Sequence, residues 1–88
     1  MSNGSYSAVA DEQLDEIEKG PDPDLYNAIL DACELLFRLP ERAQSLSSAI
    51  TSTEGIRFRL PVAGFDPYKV FWSSSADGPR VEAVFPHP

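Results

Sequence analysis

The residue types able to do chemistry gather in the last third of the chain. Arg57, Arg59, Lys69 and Arg80 lie on or beside three apolar-rich runs, Ile56–Val62, Tyr68–Ser73 and Arg80–Phe85, and the single histidine, His87, closes the last of them. An imidazole titrates near neutral pH and can move protons. Fixed cations can hold negative charge as it develops. The lone Cys33 is the other reactive type, but it sits inside an apolar helical pattern with no second Cys or His nearby. It reads as a small buried hydrophobe rather than a nucleophile. The chain carries no Gly-rich phosphate loop, no internal repeat and no metal-ligand spacing, and no cofactor is implied.

The elements that position these residues are three predicted strands. Ile56, Phe58 and Leu60 alternate with Arg57 and Arg59; Tyr68, Val70 and Trp72 alternate with Lys69, Phe71 and Ser73; Val81, Ala83 and Phe85 alternate with Arg80, Glu82 and Val84. Turns at Ala63–Pro67 and Ser74–Pro79, the latter with Asp77-Gly78, are short, so the strands form an antiparallel meander. The first-named set of each strand makes an apolar face. The second makes a face with Arg57, Arg59, Lys69, Phe71, Arg80, Glu82 and Val84 open to solvent. The bland alternative for the cations is an ordinary solvated face with cross-strand pairs to Glu82 or Asp66. For His87 it is a frayed terminal residue. Exposed Phe71 and Val84 suit a partner-binding patch as well as a base-stacking platform.

The apolar face needs a cover, and the second of two predicted helices supplies it. Asp22 is a good N-cap and Pro23 a good first helical residue. Leu25, Ile29, Ala32, Cys33 and Leu36 then form one stripe, widened by Tyr26, Leu30 and Phe37, up to Leu39 before Pro40. Asp11–Lys19 is a first helix with Leu14 and Ile17 on its apolar side, stopped by Gly20 and Pro21. Tyr6–Val9 reads either as a short strand or as the first turn of that helix. Met1–Ser5 is polar and loose. Glu41–Leu46 adds a turn of helix, and Ser45–Thr53, Ser/Thr-rich and without a period, is a loop. The fold class is α+β: an N-terminal helical hairpin packed on a C-terminal antiparallel meander of three to four strands, in one domain spanning residues 1–88.

Charge narrows the partners. The net charge is −7, with nine acids and only Lys19 in Met1–Glu34, while Leu35–Pro88 is near neutral. Strong nucleic-acid binding through charge alone is excluded, because that affinity scales with phosphates neutralised. The sequence holds no apolar stretch long enough to span a membrane and no signal-like start. With its lone Cys, it is expected in the cytoplasm.

Two helices followed by this meander resembles the RelE/ParE superfamily of toxins from bacterial type II toxin–antitoxin pairs. Gly55-Ile56-Arg57-Phe58-Arg59 resembles the family's first strand, Tyr68-Lys69-Val70-Phe71-Trp72 its central strand, and Val81-Glu82-Ala83-Val84-Phe85-Pro86-His87 a last strand that often ends in His. The resemblance implies a toxin silenced by an antitoxin protein, acting either on mRNA at the ribosome as an endoribonuclease or on DNA gyrase. In the RNA-cutting branch it implies catalytic roles for Lys69, His87 and Arg57 and RNA contacts from Arg59, Phe71 and Arg80. The chemistry required is 2′-OH deprotonation, stabilisation of a pentavalent phosphate and protonation of the leaving 5′-oxygen. The sequence departs from the pattern at Pro88, at Lys69 in place of Arg, which lacks bidentate geometry, and in its acidic total. Those departures point to the alternative: a non-catalytic relative that works by protein binding.

Overall fold

A computed structural model describes residues 6–88 of the chain, and the expectation for Met1–Ser5 lies outside them. Three helices, α1 (Ala8–Lys19), α2 (Pro23–Arg38) and α3 (Pro40–Leu46), precede four strands, β1 (Ser48–Ser52), β2 (Gly55–Pro61), β3 (Tyr68–Ser75) and β4 (Gly78–Pro86). The strands form one antiparallel sheet in chain order. The architecture is α+β, with the helices ahead of the sheet.

Local chemistry sets the helix ends. Ser7 caps α1, its hydroxyl accepting from the Ala10 N–H at 3.0 Å. Tyr6 meanwhile forms a parallel bridge to Val81, so the Tyr6–Val9 stretch is both a strand contact and a helix start. Gly20 ends α1 with φ −77°, not in the left-handed region. Pro21 accounts for this, because a following proline favours extended backbone. Asp22 caps α2 through its carboxylate and the Leu25 N–H at 3.1 Å, with Pro23 in the first turn.

The buried stripe of α2 is the expected one: Leu25, Ile29, Ala32, Cys33 and Leu36. Leu30, expected to widen it, faces solvent at 36% exposure. These side chains meet Leu60, Val62, Val70, Trp72, Val81 and Val84 in one core. The cover is shared: α1 packs on β4, burying Ala10 and Leu14, while α3 packs on β2 and buries Ala43. The expectation that α2 alone covers the sheet is thereby corrected; four strands offer more apolar face than one helix can bury.

Three further corrections concern the strands. Ser48–Ser52, expected as loop, pairs antiparallel with β2 through a Thr53–Glu54 turn. Ile56, expected in the core, is 57% exposed; it pairs with Thr51, one position from the hairpin turn. The third correction sets the site. A register shift falls between Phe71 and Trp72: Trp72 pairs with Val81, but Phe71 pairs with Ala83, so Glu82 is an extra residue in β4. Downstream of it the alternation inverts. Val84 is buried at 1% exposure, while Ala83 and Phe85 turn to the opposite face.

Candidate functional site

The inversion gathers aromatic and charged side chains on the sheet face away from the helices. β2 contributes Arg57 and Arg59, and β3 contributes Lys69 and Phe71. Past its bulge, β4 adds Phe85 and leads into His87. Arg59 pairs across to Phe71, and Lys69 pairs across to Phe85. The rings of Phe71 and Phe85 stack with centroids 4.7 Å apart and planes 9° apart. His87 stands edge-on to both, at 5.3 Å from Phe71 and 6.0 Å from Phe85. Without the extra residue in β4, Phe85 would lie in the core and this cluster would not form.

His87 is held in place rather than frayed. Its backbone N–H donates to the Pro67 carbonyl at 2.9 Å. Its Nδ1 lies 2.8 Å from Nη1 of Arg59. A guanidinium has only donors, so Nδ1 is the acceptor and the ring proton sits on Nε2. In this arrangement His87 is a neutral hydrogen-bond donor through Nε2. Arg59 has capacity to spare: its Nε is buried with no protein partner among the described residues. The free donor is buried, so the observed contact between the two side chains is the single Nη1–Nδ1 hydrogen bond.

The remaining expected site residues are placed differently. Lys69 is buried at 8% exposure; its Nζ donates to the Pro67 carbonyl at 3.0 Å and lies 3.5 Å from Asp66 Oδ1. The anticipated pairing with Asp66 is thus present. Arg57 shares the face but is paired with Glu54 at 3.1 Å, a partner one turn away. Arg80 is exposed, at the far end of β4 and opposite Ser73. Glu82, pushed out by the bulge, accepts from the Ser73 hydroxyl at 2.7 Å. The structure thus brings Arg59, Phe71 and His87 together, holds Lys69 on the same face as an amine tethered to Pro67 and Asp66, and leaves Arg57 and Arg80 at the margins.

Phe85 is the residue that alternation missed, because alternation assigned it to the core. Its signal was weak: only the extra β4 residue distinguishes the two registers. Among the described residues no group of three or more His, Cys, Asp or Glu could hold a metal ion. Among the same residues no helix is long and apolar enough to cross a membrane. Comparison with known protein families, with curated proteins and with solved structures finds no match.

Proposed function

We propose that the chain is a RelE/ParE-like toxin component of a type II toxin–antitoxin pair, cutting mRNA on the ribosome and silenced by an antitoxin protein. The observation that supports this reading best is the Arg59–His87 pair packed against the Phe71–Phe85 stack on the open sheet face. An RNA phosphate entering there competes for the Arg59 guanidinium. As Arg59 turns to the phosphate, His87 Nδ1 is released and the imidazole gains the free site it needs for proton transfer. Arg59 then stabilises the charge on the pentavalent phosphate. The aromatic pair offers an edge or face on which a base can stack. Arg57 can join the phosphate contacts once it gives up its exposed partner Glu54, since such surface pairs are worth little. The test is induced expression. Growth should stop, and the combined Arg59→Ala and His87→Ala variant should restore it; undiminished arrest in that variant removes these residues from the mechanism.

A second reading has its own support. The Lys69 amine is buried and doubly engaged, and the chain carries a net charge of −7. Both favour a non-catalytic relative that acts by binding a protein, such as DNA gyrase or an antitoxin. Arrest with intact mRNA and accumulated DNA breaks would support the gyrase form. Absence of arrest with tight antitoxin binding would support a toxin that has lost its activity.

A further inference from the structure

The two edges of the sheet are finished differently. The β4 edge is closed by the N-terminal segment: the Ser7 N–H donates to the Val81 carbonyl at 2.9 Å, the Ser7 hydroxyl to the Glu82 carbonyl at 2.6 Å, and the Val84 N–H to Gln13 Oε1 at 2.6 Å. The β1 edge has no such closure among the described residues. Its sequence, Ser48-Ala49-Ile50-Thr51-Ser52, carries no charge and no proline, the usual devices that keep an edge strand single.

The register shows which groups face out. The Thr53–Glu54 link closes the hairpin on the Ser52–Gly55 pair, and hydrogen-bonded pairs alternate along an antiparallel ladder. Ser48, Ile50 and Ser52 therefore direct their N–H and C=O groups at β2, while those of Ala49 and Thr51 point away from the sheet.

We propose that β1 is a self-pairing edge, and that two copies of this chain join through it into one continuous antiparallel sheet. A twofold axis at Ile50 sets Ala49 opposite the second copy's Thr51, and reciprocally, so every outward N–H and C=O finds a partner. Ile50 then meets its own counterpart on the open face. On the helix side, Leu46 and Ile56, 49% and 57% exposed, flank the strand and gain cover. Charge favours this edge over the other. The acids are concentrated in the first 34 residues, which sum to −8, and α1 lies against β4. Pairing through β1 places the two acidic helices at opposite ends of the joined sheet.

Sedimentation equilibrium on the full chain tests this. The mass should rise from one chain towards two with concentration. Ile50→Lys sets like charges face to face at the axis and should weaken self-association roughly tenfold or more. Thr51→Pro removes an outward N–H and should do the same, with circular dichroism showing the fold retained. Under mild oxidation Ile50→Cys should cross-link across the axis. Ser48→Cys should not, since its counterpart is roughly 13 Å away along the strand; the native Cys33 is buried and does not interfere. A one-chain mass at every concentration, a dimer that survives both edge variants, or equal cross-linking at the two positions would each overturn the proposal.

Discussion

Replacing Val84 by Ala tests the inverted register of β4. Val84 is 1% exposed and belongs to the core. The substitution removes the equivalent of two buried methyl groups, about 1.6 kcal/mol of transfer free energy at about 0.8 kcal/mol each. A residual cavity between β4 and the helices raises the loss to about 2–3 kcal/mol. For a domain of this size that corresponds to a melting temperature lower by roughly 8–24 °C. Ala83→Lys is the complement. Ala83 is half-buried and pairs with Phe71 on the open face; a lysine there can extend its ammonium to water, so it should cost about 1 kcal/mol or less, clearly below the loss at Val84. Urea unfolding followed by the fluorescence of the fully buried Trp72 reads both variants. Under uniform alternation the outcomes would be exchanged. A nearly neutral Val84→Ala with a strongly destabilising Ala83→Lys would refute the register, and with it the assembly of Phe71, Phe85 and His87.

Three other outcomes follow from the same geometry. Ser7→Ala removes both the α1 cap and the hydroxyl donor to the Glu82 carbonyl; it should cost about 1–2 kcal/mol and speed hydrogen exchange at Ala10. Burial pushes the Cys33 thiol up to about 11 from 9.0, against an opposing hydrogen bond with Tyr6. Tyr6 is itself raised, first by burial and then by its thiol neighbour. Cys33 stays protonated in the folded chain where the unfolded chain would release the proton, so its contribution is complete below pH 9.0 and fades as pH climbs through about 11; the loss from Tyr6 starts later, from 10.0 upward. Cys33→Ala should flatten that alkaline loss by at most about 1.4 kcal/mol per pH unit, measured by unfolding as a function of pH; an unchanged slope would contradict the assignment. Nitrogen NMR of the His87 ring should show an accepting, hydrogen-bonded Nδ1 and the proton on Nε2 in the parent chain, and Arg59→Ala should remove the hydrogen-bond shift at Nδ1 and relax the ring towards the tautomer mixture of a free imidazole.

How much of this could be read from the sequence depended on how many residues carried each signal. The α2 stripe repeats over four turns and has a cap, a leading proline and a terminating Pro40, so its buried face was legible residue by residue. β1 was not, because five residues with a single large apolar side chain, Ile50, leave no period to detect. The bulge is the instructive failure. Val81, Ala83 and Phe85 alternate without a break, yet both Val84 and Phe85 are large and apolar, so either register buries a good residue. What decides between them is tertiary: Gln13 on α1 binds the Val84 N–H, and Ser73 binds the displaced Glu82. Of the site, the cations and His87 were legible as a face, but their partnerships were not. Arg59 rather than Arg57 or Lys69 touches His87, since only the folded return of the chain after β4 brings residue 87 over β2.

The most direct test of the proposed activity is to incubate the purified chain with ribosomes programmed with a defined message and map the RNA ends. Cleavage of the ribosome-bound message, sparing free RNA and lost in both Arg59→Ala and His87→Ala, is the predicted result. An intact message with the parent chain, or cutting that persists undiminished in both variants, would contradict it.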